Sequence, residues 1–253
     1  MLALERHRKL IECLNARGSV RTAEVATELG VTEETVRRDF ERLESEGQLV
    51  RTHGGALRLD ASRREFPIRE RMAQNASAKA RIARAALAHL REGCSIYFDA
   101  STTVLQLAAV LPDKPFTVIT NSLQAALSLT EKTNVTVYLL GGRMAQSSLS
   151  CTGWAAIQGL EMNRIDVAFL SCRGLHPALG LSDATEEQAE LKRQVVLRAS
   201  EVVLLADQTK AGLSSSFFFA KNADVDFWIT DAPPQDDVRD AVISQGVRLE
   251  VAE

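Results

Sequence analysis

The sequence predicts an α/β chain in two parts: a small helical unit closed by a hairpin, then a larger, mostly parallel sheet covered by helices. Three observations carry that prediction. Residues 1 to about 58 hold short helical patterns and no strand-like run until their end. From Ser77 onward, short apolar runs alternate with helix-like segments, the grammar of strand–helix–strand units. Those runs are near-continuously apolar, as strands buried on both faces must be. The expected boundaries are 1–58 for the first unit, 59–76 for a polar linker containing Pro67, and 77–253 for the second unit.

In the first unit, Leu2, Leu4, Leu10, Ile11 and Leu14 share one face of a helix that stops at Gly18. Thr22 to Leu29 form a second, short helix closed by Gly30, since glycine takes the left-handed C-terminal position without a Cβ penalty. Thr32 is the expected N-cap of a third helix from Glu33 to about Glu46, with Thr35 adding a second local hydroxyl. The alternation in "EGQLVRTHGGALR", broken by Gly54 and Gly55, predicts a hairpin.

Two helices joined by "LGVT" make a helix-turn-helix pattern. On the third helix Val36, Phe40 and Leu43 stand at i, i+4 and i+7 and so face the other two helices. Arg38, two residues from Val36, lies about 200° away and points outward. Thr35, Arg37 and Arg42 flank that outward face. Arginine there can bond guanine edges bidentately or hold a phosphate. Arg51, His53 and Arg58 make the hairpin basic, and its glycines allow close approach to a backbone phosphate. The residues expected on DNA are Arg21, Thr22, Thr32, Thr35, Arg37, Arg38, Arg42, Arg51, His53 and Gly54. The competing reading, a solvated face on which Arg37 and Arg38 pair with Glu33, Glu34 or Glu41, is outweighed by the combined helix, turn, helix and basic hairpin.

Bulk properties narrow the field further. The chain has 253 residues, 45% hydrophobic and 25% charged, with net charge −3. There is no global basic signature, so nucleic-acid contact must rest on a local patch. Modest affinity per unit follows, and with it the expectation of a homo-oligomer, dimer or tetramer, that gains avidity from two half-sites. Four cysteines and four histidines are scattered without ligand spacing, which argues against a disulfide framework or zinc site and fits a reducing cytoplasm. No metal or cofactor is expected. The N-terminus carries charge within five residues, and no apolar run is long enough to span a bilayer.

In the second unit the expected strands are 95–98, 116–119, 135–140, 165–170, 202–205 and 225–229. Ligands of open parallel sheets bind at the carboxyl ends of strands. Those ends offer Asp99-Ala100-Ser101-Thr102-Thr103, then Thr120-Asn121, Gly141-Gly142-Arg143, Arg173, and finally Asp207 with Lys210. Thr102 and Thr103 open a helix, where backbone N–H groups and the dipole favour an anion. Each piece alone is an ordinary cap or turn, but five at successive strand ends suggest a small, phosphorylated, polyhydroxylated ligand. An enzymatic alternative, a sugar-phosphate isomerase with an appended DNA-binding domain, needs a carboxylate base. Glu186, Glu187 and Glu190, near Lys192, form the only candidate cluster. They read instead as the solvated face of a helix capped by Thr185, with Glu187 free to reach a ligand hydroxyl.

The stretch "VRTAEVATELGVTEETVRRDFERLESEGQLVRTHGGA" resembles the signature of the DeoR/GlpR family of bacterial transcriptional regulators, and "FPIRERMAQNASAKARI" resembles that family's connecting segment. The resemblance extends to about residue 250. It implies a transcription factor, in most members a repressor, whose effector domain is similar in fold to ribose-5-phosphate isomerase and senses phosphorylated sugars or related metabolites. The family's "D-x-[GS]-T-T" falls on Asp99, Ser101, Thr102 and Thr103. Its "TN" falls on Thr120 and Asn121, its "GG" on Gly141 and Gly142, and its "D-x-x-K" on Asp207 and Lys210. Asp183 and Cys172-Arg173 depart from the family pattern.

Overall fold

The computed structural model describes residues 3–17, 19–45, 48–52, 54–58 and 66–253. Two compact units divide the chain, residues 1–64 and 65–253.

The first unit runs α1 (Ala3–Arg17), β1 (Ser19–Arg21), α2 (Thr22–Leu29), α3 (Glu33–Ser45), β2 (Leu49–Thr52) and β3 (Gly55–Arg58). Gly30 ends α2 in the left-handed conformation at φ +65°. Thr32 caps α3: its Oγ1 accepts from the Thr35 N–H at 3.2 Å. Val36, Phe40 and Leu43 are buried with Leu10, Leu14, Val25 and Leu29, as the helical spacing predicted. The hairpin β2–β3 forms, and β1 adds a third strand beside β3. That strand was not anticipated. Three residues after a helix carry no readable alternation, and Ser19–Arg21 exist as a strand only because β3 supplies partners. Gly55 is what lets them meet: a Cβ there would stand 2.0 Å from the Val20 carbonyl oxygen. Gly18, His53 and residues 59–65 lie outside the described residues.

The second unit begins with α4 (Ile68–Ala73) and α5 (Ala76–Ala86), then β4 (Ser95–Phe98), α6 (Thr102–Val110), β5 (Phe116–Thr120), α7 (Leu123–Ser128) and β6 (Val135–Leu139). A small ribbon, β7 (Arg143–Ala145) and β8 (Ser150–Thr152), leads into α8 (Trp154–Glu161) and β9 (Ile165–Leu170). Next come β10 (Gly174–His176), β11 (Gly180–Asp183), α9 (Glu186–Val196), β12 (Ala199–Leu205), β13 (Phe217–Ala220), β14 (Phe227–Thr230), α10 (Asp236–Ser244) and β15 (Arg248–Val251). Residues 66–76, read from sequence as the end of a linker, thus supply helix to this unit.

Seven strands form one sheet in the order β15-β14-β12-β9-β4-β5-β6, every pairing parallel. Alternate residues face opposite sides. Ile96, Phe98, Val118, Val167 and Phe169 pack under α5, α6 and α7. Tyr97, Ile119, Ala168, Leu170 and Trp228 pack under α8, α9 and α10. The chain builds outward from β4 to β6, then returns to β9 on the other flank and builds outward again. The strand order therefore reverses between β4 and β9, the position at which open α/β sheets leave a crevice at the strand ends.

Candidate functional site

On the first unit, Arg37 and Arg38 project from α3 with side chains 57% and 76% exposed. Arg37 reaches Glu33 at 2.9 Å and Arg38 reaches Glu34 at 3.4 Å. These are the pairs of the competing sequence reading. At such exposure they hold weakly and exchange readily for a phosphate or a base. Arg21 and Arg42 are exposed, as are Thr32 and Gly54. Three expectations change. Thr22 is buried, and its N–H donates to the Gly54 carbonyl, which joins the start of α2 to the hairpin turn. Arg51 lies 2.7 Å from Glu41, while its N–H donates to Glu44, which braces the hairpin against α3. Thr35 shares its hydroxyl with Thr32 at 2.9 Å.

Asp39 directly follows Arg37 and Arg38 on α3. It is buried and accepts from Arg6, through both guanidinium donors, and from His7 at 2.9 Å. Burial opposes its charge, but Arg6 and His7 prevail and hold the carboxyl below the usual range. The hidden signal was position: Asp39 is adjacent to Phe40 on the core side of the helix.

In the second unit, the β4/β9 crevice opens into two adjoining chambers. Asp99 ends β4 and ties the crevice together. Its Oδ1 accepts from the Ser101 N–H at 2.9 Å, and its Oδ2 accepts from the Ser171 N–H at 2.8 Å, across the switch. Ser101 caps α6 by accepting from the Val104 N–H, which leaves the first N–H groups of α6 facing the opening.

The first chamber holds Ser101, Thr102 and Thr103 at the α6 N-terminus together with Arg71, Lys79, Arg173 and Lys210. Four cations converge on a helix start. Burial pushes the Lys79 ammonium down to about 8; Asp207 supports its charge, while Lys210, Arg71 and Arg173 oppose it. Burial also lowers Lys210, against the pull of Asp207. Asp207 itself is buried and accepts from Thr209 and from Asn75 Nδ2 at 3.2 Å.

The second chamber shares Arg71, Ser101, Ser171, Cys172 and Arg173 with the first and adds Ala100, Ser148, Asp183, Gln188 and Lys192. Lys192 lies 3.0 Å from Asp99 and 2.6 Å from Asp183, and it donates to the Ser171 carbonyl at 2.7 Å. Burial alone would lower this ammonium; the two carboxylates outweigh it and hold it above the ordinary lysine range. Gln188 donates to the Ser148 and Ser150 hydroxyls at 3.2 and 2.7 Å. Burial pushes the Cys172 thiol up to about 12, so it is a neutral wall.

Other strand-end residues stay outside the chambers. Thr120 donates to the Phe98 carbonyl, and Asn121 accepts from the Tyr97 hydroxyl at 3.0 Å; both are buried supports of the β4–β5 edge. Gly142 has φ +139° and no room for a Cβ beside the Thr152 carbonyl, so "GG" serves the β7–β8 ribbon. Arg143 and Glu187 pair with each other on the exposed surface. Lys192 belongs with Asp99 and Asp183 and is not part of the glutamate cluster. Arg71, Lys79, Gln188 and Lys192 were missed. Gln188 and Lys192 carried a faint signal, standing at i, i+4 on the side of α9 opposite its charged face. Among the described residues, no three His, Cys, Asp or Glu side chains are grouped to hold a metal ion, and no helix is long and apolar enough to cross a membrane.

A winged helix-turn-helix followed along the chain by a parallel α/β unit with a polar crevice is the build of a transcriptional regulator with a sensor domain. The profile of the DeoR-like helix-turn-helix domain matches residues 6–62, and that of the DeoR C terminal sensor domain matches residues 74–232. The chain belongs to the DeoR family of transcriptional regulators. It is 40% identical to the uncharacterized HTH-type transcriptional regulator YulB of Bacillus subtilis, over 92% of this chain and 90% of that one. It is 28% identical to the glycerol-3-phosphate regulon repressor of Escherichia coli, over 99% and 100%. Among solved structures, ribose 5-phosphate isomerase A of Methanocaldococcus jannaschii aligns with TM-score 0.41 and 16% identity over 54% of this chain and 55% of that one.

Proposed function

We propose that this chain represses transcription of a carbohydrate or related metabolic operon and that a phosphorylated, polyhydroxylated effector governs its hold on DNA. One observation carries the reading: the α6 N-terminus and four cations line one chamber, and a second chamber rich in hydrogen-bonding groups adjoins it. A phosphate ester suits the first, through backbone N–H groups and charge-assisted bonds. Hydroxyls suit the second, where Asp183 accepts and Gln188 or Ser148 donates or accepts. Neither lining contains an aromatic ring for a base to stack on, which favours a sugar or polyol phosphate over a nucleotide. The name of the Escherichia coli relative supports repression and a phosphate ester.

Operator contact falls to Arg37 and Arg38 on α3, with Arg21, Arg42, Thr32 and Gly54 around them, in a homo-oligomer reading two half-sites. The test is a panel of ribose, fructose, glycerol and tagatose phosphates, read by thermal shift, turnover and release of the chain's own upstream DNA. At least one should shift the melting and change DNA affinity without turnover. Turnover at an enzyme-like rate, or no shift with any of them, would overturn the effector reading. Arg38→Ala should abolish specific DNA binding and leave the thermal shift intact; equal loss of both would mean that the helix was misread.

A further inference from the structure

Residues 66–79 occupy a position that the site description does not explain. They are the first described residues of the second unit, and they reach over the crevice. Ile68 is buried, and its N–H donates to the Ser147 carbonyl at 2.8 Å. The Arg173 guanidinium lies 5.5 Å from the Phe66 ring centre, within cation–π range. Asn75 donates to Asp207. Lys79 donates to the Arg71 and Gln74 carbonyls, closing the turn between α4 and α5. Arg71 lines both chambers.

Apolar, backbone and polar contacts thus seat the segment, and its two cations meet two more in the crevice. Arg71 and Lys79 come from the segment, while Arg173 and Lys210 come from the strand ends beneath it. Asp207 supports the Lys79 charge, whereas Lys210, Arg71 and Arg173 oppose it. An anion held between them offsets that opposition.

We propose that residues 66–79 form a strap that an anion closes: a phosphate on the α6 N-terminus is gripped from above by Arg71 and Lys79, and this pins the strap onto the sheet. This inference rests on the anion-site reading above and extends it to regulation. Only a ligand that contacts the seated strap better than the released one can shift that equilibrium, and Arg71 and Lys79 supply the difference. Since the chain joins the DNA-binding unit through the residues just before Phe66, occupancy of the site fixes where that connection starts.

The test is hydrogen exchange on the full chain, with inorganic phosphate or matched chloride. Phosphate should protect a peptide covering 99–107, at the α6 start, and also one covering 66–79. Arg71→Gln should weaken phosphate binding roughly tenfold, the loss of one charge-assisted contact. At saturation it should keep the protection at 99–107 and lose the gain at 66–79. Protection at 99–107 with none at 66–79 in the native chain would overturn the strap and leave the anion site standing. So would an Arg71→Gln strap that tightens like the native one. No response at either peptide, together with no thermal shift from phosphate, would remove the anion site and the strap with it.

Discussion

The Lys192 ammonium lies buried between Asp99 and Asp183; Asp99 is fully buried, and Asp183 keeps only a small edge toward the second chamber. Removing one partner of such an array leaves uncompensated charge in a poorly solvated place. Lys192→Met should destabilise the second unit by about 3–5 kcal/mol in urea unfolding, and Asp183→Asn in the same chain should recover part of the loss. A cost below about 1 kcal/mol would mean that water screens the array as it screens surface pairs. Lys79 gives a second residue-scale expectation. Its folded value of about 8 lies below the ordinary 10.5. Between those two values the unfolded chain binds more protons, so stability should rise as pH climbs from 8 towards 10.5. Phosphate affinity should move the other way. It should weaken as pH passes through 8 and Lys79 loses its charge, while Arg71 and Arg173 stay charged and Lys210, itself lowered, and Asp207 face the same space. Calorimetric titration with inorganic phosphate on either side of pH 8 checks this; an affinity that ignores pH would exclude Lys79 from the contact.

Among elements, the three-stranded sheet of the first unit turns on one glycine. Gly55 has no room for a methyl group beside the Val20 carbonyl, whereas Gly54 next to it opens onto empty space. Gly55→Ala should push β3 off β1 and cost about 1–3 kcal/mol, in the manner of overpacking, while Gly54→Ala should leave the unfolding midpoint unchanged. Equal effects would mean that the turn, and not the close approach, sets the requirement. The same contrast shows what the sequence made legible. "GG" announced a turn, because turn chemistry is local. Which glycine was indispensable, and that β1 existed to make it so, depended on a partner far along the chain. The six expected strands are all present, because buried parallel strands advertise themselves as apolar runs. β15 was not expected, since "RLEV" at a sheet edge alternates charged and apolar residues. The crevice was half legible. Asp99 to Thr103 stood out because small residues and hydroxyls before a helix are a local pattern. Arg71 and Lys79 were invisible, since a cation's role there is set by which strand ends and helices converge on it.

At the scale of the whole molecule, the two units keep separate cores. Phe40 packs only among residues of the first unit, and the clusters on the two faces of the large sheet contain only residues of the second. Phe40→Ala, expected to cost about 3–5 kcal/mol, should therefore unfold the DNA-binding unit and abolish DNA retention. The phosphate-induced thermal shift of the second unit should survive. Loss of both functions together would show that the units fold as one. Salt should also separate the two activities. The chain's net charge is −3, so DNA binding draws on a local arginine patch and should fall steeply with added salt. Phosphate held in a half-buried crevice should respond less.

Asp39 adds a last consequence. With its carboxylate anchored to Arg6 and His7, Asp39 ties α3 to α1 on its inner side, and the outward residues are carried on the opposite face. What the helix presents and how it is held are thereby separate. On the proposed operator contact, exchanging Arg37 or Arg38 for other side chains would change the DNA sequence being read without disturbing the mount. The buried aspartate works as a keel, and a lineage carrying it can retarget its operator by changing a few surface letters.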